Sequence, residues 1–181
     1  MRMIAIFTLG LVSMMALLTA CSTTPEGTEE QSQLQKEAET TLADFRRSDA
    51  DIANHINKAY GYAVFPTIGK GGLVVGGAGG RGVVYEQGRM IGYTTMSQAT
   101  VGLQAGGQSY SQLILFEDKA ALDRFTTGEW AMSAQATAVA AASGTGSTAR
   151  YKEGVMVFVY NMQGLMGEAS VGGQKFNFDR L

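Results

Sequence analysis

The chain contains few of the residues from which catalytic and metal sites are usually built. Its 181 residues include one histidine, His55, and one cysteine, Cys21, so an intrachain disulfide is impossible. A zinc site needs three or four ligands, mostly Cys and His, and a serine hydrolase would have to use His55 although no nucleophile motif occurs elsewhere. The sequence therefore predicts a non-catalytic protein without metal or cofactor. We expect His55 to be partly buried in a helix or to act as a cap partner.

Charged residues are also sparse, at 17% of the chain, and the formal net charge is −2. This balance argues against nucleic acid as a partner, because surfaces that bind nucleic acid are strongly basic. A hydrophobic content of 45% is typical of a globular protein. The length suits one domain with a core of its own.

The first twenty residues have the composition of a targeting segment. An apolar run over 3–18 follows one positive charge and is short for a membrane-spanning helix. The next residues, Leu18-Thr19-Ala20-Cys21, resemble a bacterial lipobox, whose cysteine is acylated, for example with palmitate. An ordinary signal peptide with a stray cysteine is the alternative. We expect a lipoprotein signal peptide over 1–20, lipid attachment at Cys21 and, because Ser22 follows in the manner of such lipoproteins, an outer-membrane location facing the periplasm or the surface.

A polar stretch over 21–32 is expected to be a disordered tether, followed by a single domain over 33–181. Helix is predicted from Gln33, with a possible break at Ser48-Asp49, because apolar residues recur at helical spacing on one face. An amphipathic helix packed on a sheet is favoured over a membrane-surface helix, since the polar face is acidic where anionic lipid would require Lys and Arg. The apolar positions are Leu34, Ala38, Leu42, Phe45, Ile52, Ile56 and Ala59.

The block from Gly61 to Phe116 holds 14 of the 24 glycines, interleaved with Val, Leu, Ile, Tyr and Thr. Glycines among β-forming residues are typical of bulges, tight bends and close backbone approaches, so the block predicts a strongly curved antiparallel sheet. Strands are predicted over 73–77, 82–85 and 90–95, with a turn at Glu86-Gln87-Gly88-Arg89, and a longer strand or a bent pair is predicted over 101–116. Residues 77–82 match the dinucleotide-binding pattern GxGxxG, but the following residues predict strand where such a site needs a helix.

After this block, Glu117-Asp118 is expected to begin a short helix that Gly128 ends. Residues 131–142 are interpreted as a strand from their period-two alternation, although their alanines favour helix, and a loop is expected at 143–147. Strands are predicted over 155–160 and 165–178, with a turn at Asn161-Met162-Gln163-Gly164. The predicted fold is α+β: a curved antiparallel β-sandwich or partly open barrel with flanking N-terminal and central helices.

Four segments resemble the SYLF domain family: KAYGYAVFPTIGKGG, GGAGGRGVVYE, ATVGLQAGGQSYSQLILF and GGQKFNF. The similarity covers about Ile52 to Phe178, and the segments occur in the family's order. The family is found in bacterial secreted lipoproteins and in eukaryotic proteins that bind phosphoinositides and actin. The resemblance therefore implies a lipid-binding domain. The acidic helix before Ile52 differs from the basic N-terminal segment of the eukaryotic members, and actin makes little sense as a partner for a protein with a bacterial lipobox.

Membrane phospholipid is the partner predicted from the basic residues. Lys58, Lys70, Arg81 and Arg89 are opposed by one carboxylate between positions 58 and 89, within a glycine-rich surface that leaves backbone amides accessible to phosphate groups. Our hypothesis is that these four residues contact lipid headgroups, and the alternative is a set of solvated charges spread around the sheet.

A second functional hypothesis is an envelope scaffold that binds another protein. In that case the contact would be made by a sheet edge or by Tyr62, Tyr85 and Tyr93.

Overall fold

The computed structural model describes Pro25 and residues 27–73, 75–128, 131–132 and 149–181. Helices flank one antiparallel sheet. In chain order the elements are α1 (Thr28–Ser48), α2 (Ala50–Lys58), β1 (Gly61–Gly72), β2 (Val75–Glu86), β3 (Arg89–Phe116), α3 (Lys119–Thr126), β4 (Ala131–Met132) and β5 (Val155–Arg180).

Helix α1 begins at Thr28, five positions before the predicted start at Gln33, so residues 28–32 are helix and not tether. Glu29 and Glu30 lie in the first turn, where carboxylates stabilise the positive end of a helix. The predicted break between the two helices is confirmed. There the Asp49 side chain accepts hydrogen bonds from the backbone N–H groups of residues 51 and 52, which caps α2.

The sheet is arranged around the hairpin of β1 and β2. The first half of β3 runs antiparallel to β2, and its second half runs antiparallel to β1. Because β1 and β2 are themselves antiparallel, the two halves of β3 run in opposite directions, and β3 must turn back on itself. Strand β5 pairs with β3 along both halves and follows the same turn, so two bent strands enclose the hairpin.

Helices cover both faces of this sheet. The face that we call the α1 face packs Leu34, Ala38 and Phe45 of α1 against alternate residues of β1 and β2 such as Val64 and Val83. The opposite face, the α3 face, is formed in the same way. It holds a second buried cluster, which includes Phe65, Ile68, Phe116, Leu122, Phe125 and Phe176. The buried positions of α3 are residues 121, 122 and 125.

Strong curvature brings distant strands together on the α3 face. The side-chain amides of Gln112 in β3 and Gln174 in β5 exchange hydrogen bonds of 3.1 and 3.3 Å, and the rings of Phe65 and Phe176 lie 5.7 Å apart. Gly82 permits close strand contact, since a Cβ there would lie 2.6 Å from the Val64 carbonyl oxygen. The α+β prediction with a curved antiparallel sheet is confirmed, and across the described strands the sheet is not closed into a barrel.

Two predicted boundaries were wrong. Residues 161–164 are not a turn but a continuous part of β5, where a register shift absorbs one extra residue opposite Ser109–Ser111. Leu73 does not begin a strand, because it lies in the connection between β1 and β2. The turn at Gln87-Gly88 is confirmed, with positive φ angles of 49° and 78°. The predicted strand over 131–142 is described only at Ala131–Met132, and the rest of it, like the loop at 143–147, lies outside the described residues.

Candidate functional site

The four basic residues that we predicted to contact lipid do not form one cluster. Lys58 is the last residue of α2 and Arg89 the first of β3, and both are exposed at the end of the sheet where β1 begins. Lys70 lies nine residues along β1 from Gly61, which corresponds to about 30 Å at 3.3 Å per residue. The structure thus separates Lys58 and Arg89 from Lys70.

Lys70 and Arg81 lie on opposite faces of the sheet. Lys70 pairs with Ala78, whose side chain packs on the α3 face. Arg81 lies three positions after Ala78 in β2, and because side chains alternate along a strand, it lies on the other face. There its guanidinium forms an ion pair with Glu30 of α1. The Glu30 carboxylate offsets the charge of Arg81. Of the two cations of the hairpin, Lys70 lies nearer to its far end.

At that far end the structure exposes apolar side chains that the charge analysis missed. Leu73, in the connection between β1 and β2, is 70% exposed, and Val75, the first residue of β2, is 68% exposed. We call Lys70, Leu73 and Val75 the hairpin tip. The signal in the sequence was the apolar run Leu73-Val74-Val75 between two pairs of glycines, which we interpreted as a strand. A buried strand would need neighbouring side chains over it, and glycines supply none.

Pairs of glycines next to the hairpin tip let β1 and β2 lie close together. Gly71 pairs with Gly77 and Gly72 with Gly76, and a Cβ on Gly72 would lie 2.4 Å from the Gly76 Cα atom. No other residue type fits at position 72 without moving the opposite strand. The backbones of β1 and β2 are therefore paired as far as Gly72 and Gly76, next to the exposed Leu73 and Val75.

A shallow polar cleft of about 330 Å³ lies between α1 and the irregular part of β1 at Pro66. Its lining includes Lys36, Asp44 and Thr67, and the Ser111 hydroxyl donates a 2.7 Å hydrogen bond to the Pro66 carbonyl oxygen. The register of β1 against β2 shifts at this proline. Oppositely charged side chains line it, so the cleft has no strong preference for an ion of either sign.

The three tyrosines proposed for protein docking are buried beneath α1. Tyr62, Tyr85 and Tyr93 are 8, 7 and 6% exposed, and the rings of Tyr62 and Tyr85 stack 4.9 Å apart. Burial raises the pKa of Tyr62 and Tyr93, and it raises the pKa of Tyr85 to about 12. These tyrosines belong to the core, so the hypothesis of a tyrosine docking surface was wrong.

His55 packs as the sequence predicted. Its ring is half-buried and lies 6.2 Å from the ring of Phe158, and its backbone carbonyl accepts the hydrogen bond that caps α2. Within the described ranges, no group of three or more His, Cys, Asp or Glu side chains is placed to hold a metal ion. Residues 77–82, which match GxGxxG, lie entirely within β2, so no helix follows them.

The predicted lipid-attachment residue, Cys21, lies outside the described residues, as does the predicted signal peptide over 1–20. Among the helices described, none is both long enough and apolar enough to cross a bilayer.

Two comparisons with known proteins identify the family. A family model described as "Ysc84: Las17-binding protein actin regulator" matches residues 97–180, which run from the first half of β3 to the end of β5. The chain is also 37% identical over 127 residues to "Beta cell expansion factor A" of Aeromonas veronii, an alignment that covers 68% of this chain and 48% of the relative. The chain thus spans about half the length of this curated relative. These matches agree with the segments that resemble SYLF domains, and the chain belongs to the Ysc84 family, also called the SYLF domain family.

Proposed function

We propose that this protein is a non-catalytic, lipid-binding lipoprotein of the bacterial outer membrane, anchored by acylated Cys21. Two or three acyl chains on that residue would hold the protein on a bilayer, because each buried CH2 contributes about 0.8 kcal/mol. The folded domain then binds phospholipid headgroups of the same or a neighbouring membrane. Family membership supports a binding domain in general, and phospholipid as the ligand is the specific part of the proposal.

The headgroup proposal rests on the positive charge of the β1–β2 hairpin. Between Gly61 and Tyr85 the sequence contains no carboxylate, and its two cations are Lys70 and Arg81. Lys70 is the cation nearer to the exposed apolar residues at the far end of the hairpin, and we assign it to the phosphate groups. A basic residue near an anionic membrane contributes about 1 kcal/mol, so Lys70 alone supports weak binding that the anchor makes effective.

Co-sedimentation with vesicles tests this proposal. The chain from Ser22 onward contains every described helix and strand and lacks Cys21, so any binding comes from the domain. We expect tighter binding to vesicles of phosphatidylcholine with a minority of phosphatidylglycerol than to phosphatidylcholine alone. Lys70→Ala should weaken binding to the anionic vesicles about fivefold, the equivalent of about 1 kcal/mol.

Lys58→Ala is the matched control, because Lys58 is exposed at the opposite end of the sheet. Equal losses for the two variants would show general charge attraction and would remove Lys70 from the proposal. Absence of binding to either vesicle, together with a stoichiometric complex with an envelope protein, would favour the scaffold function instead. Labelling of the full chain with radioactive palmitate, abolished by Cys21→Ser, is the test of the anchor.

A further inference from the structure

The hairpin tip combines two exposed apolar side chains with a cation behind them. Among the described residues, four large hydrophobic side chains are exposed: Tyr160, the C-terminal Leu181, and Leu73 and Val75 of the tip. Two of these four are thus two positions apart at the end of one hairpin. Isolated exposed apolar residues are common on protein surfaces, whereas exposed apolar residues that lie together can form an interaction surface.

The segments of β3 and β5 beside the hairpin tip contain few charged residues. Gly72 pairs with Gly106 of β3 and Val75 pairs with Val101, so the turn of β3 lies beside the tip. The turn of β5 lies beside that of β3, through the pair Gly102 and Ser170. In sequence, 98–109 contains no charged residue and 161–173 contains only one. The hairpin tip and the turns of β3 and β5 therefore lie together at this end of the sheet, and their sequences contain almost no charged residues.

The spacing of the tip matches the layers of a bilayer surface. Lys70 precedes Leu73 by three residues, which span at most about 10 Å along the hairpin. Apolar residues of interfacial segments enter about 5–10 Å into the boundary between headgroups and acyl chains. With Leu73 and Val75 at that depth, the Lys70 ammonium would lie level with the phosphates, where long cationic side chains are stabilised.

The position of α1 is compatible with membrane contact by the tip. Glu30, in the first turn of α1, contacts Arg81 of β2, which lies five residues, about 17 Å, from Gly76. Cys21 precedes Thr28 by seven residues, which reach at most about 25 Å. A lipid anchor at Cys21 is therefore close enough for the tip to contact the same bilayer.

We propose that the hairpin tip inserts Leu73 and Val75 into the acyl-chain boundary of a phospholipid bilayer, with Lys70 at the phosphate level. This inference rests on the proposed lipid-binding function and specifies the surface and the mode of contact. Apolar insertion adds a contribution that does not depend on lipid charge. Binding to neutral phosphatidylcholine therefore depends on Leu73 and Val75, whereas the preference for phosphatidylglycerol depends on Lys70.

Site-specific fluorescence tests the insertion directly. The chain from Ser22 onward has no cysteine, so Val75→Cys supplies a single attachment point for the polarity-sensitive dye NBD. We expect a blue shift when phosphatidylcholine and phosphatidylglycerol vesicles are added, and strong quenching by nitroxide placed near the top of the acyl chain. The same dye at Arg89→Cys, at the opposite end of the sheet, should show neither effect.

Co-sedimentation of Leu73→Ser/Val75→Ser provides the second readout. We expect at least tenfold weaker binding to both kinds of vesicle, with an unchanged melting temperature because both side chains are exposed in the folded protein. If the unlabelled domain binds vesicles but the dye at position 75 stays in water, the insertion is refuted and the lipid-binding function stands. If the domain binds no vesicle, both fail. A blue shift that appears without vesicles and grows with protein concentration would show that the tip binds a second copy of this chain, which also overturns the proposal.

Discussion

The amide pair of Gln112 and Gln174 offers the sharpest test of the curved sheet. The two side chains are 0 and 1% exposed, and each donates a hydrogen bond to the carbonyl oxygen of the other. Gln112 belongs to the half of β3 that pairs with β1, whereas Gln174 belongs to the half of β5 that pairs with the other half of β3. The contact therefore forms only if the sheet curls back on itself.

The expected magnitudes follow from burial. Gln112→Leu leaves the amide of Gln174 buried without its partner, at a cost of about 1–3 kcal/mol, and Gln174→Leu does the same in reverse. Replacing both amides by apolar groups of similar volume should cost less than about 1 kcal/mol. A double-mutant cycle should thus give a coupling of about 3 kcal/mol, at the upper end of the range for residues in contact.

Urea denaturation of the chain from Ser22 onward measures these free energies. Each single variant should also lower the melting temperature by about 4–8 °C for a loss of about 2 kcal/mol. Gln33→Leu, at an exposed position on α1, serves as a control and should change the free energy of unfolding by less than about 0.5 kcal/mol. If the double variant loses the sum of the two single losses, the amides are not coupled and the sheet does not curl as described.

Two further predictions concern the core. The Tyr85 hydroxyl is buried and has no hydrogen-bond partner among the described residues, so Tyr85→Phe should leave the free energy of unfolding unchanged or raise it by up to about 1 kcal/mol in urea denaturation; a clear loss would contradict this. Because burial raises the pKa of Tyr85 to about 12, the folded state favours the protonated phenol. The free energy of unfolding should therefore keep its full value below the unfolded pKa of 10.0 and fall as the pH rises towards 12. This fall should be less steep in the Tyr85→Phe variant. Gly82→Ala should cost about 1–3 kcal/mol because its Cβ would meet the Val64 carbonyl, whereas Gly69→Ala, with open space around it, should cost little; similar thermal melts for the two would refute the close strand approach.

The features that the sequence predicted well depend on neighbouring residues. Asp49 divides the helices because its carboxylate can reach the N–H groups two and three positions later. Gln87-Gly88 forms a turn because glycine, and a polar residue before it, accept positive φ. Asp118 caps α3 by the same chemistry as Asp49. Family membership likewise followed from short segments, and the comparisons confirmed it.

Features that depend on strand register were not accessible in the same way. The Asn161-Met162-Gln163-Gly164 stretch has the composition of a turn, but hydrogen bonds to β3 on both sides keep it within β5. The lipid-contact hypothesis placed Lys70 and Arg81 on one glycine-rich surface. Their pairing with Ala78 and Thr67 shows that they face opposite sides. One position of register decides the face of every side chain in a strand, and no local pattern specifies that register here.

The sequence by itself determined the helices, their caps, the β-forming glycine-rich block and the scarcity of catalytic groups, because each of these follows from composition or from contacts within a few residues. Only the tertiary structure decided which faces the charges occupy, that Tyr62, Tyr85 and Tyr93 are buried, and that Leu73 and Val75 are exposed. The physical reason is that these outcomes depend on pairing between strands far apart in the chain. The bend of β3, which follows from its pairing with both β1 and β2, brings those strands together.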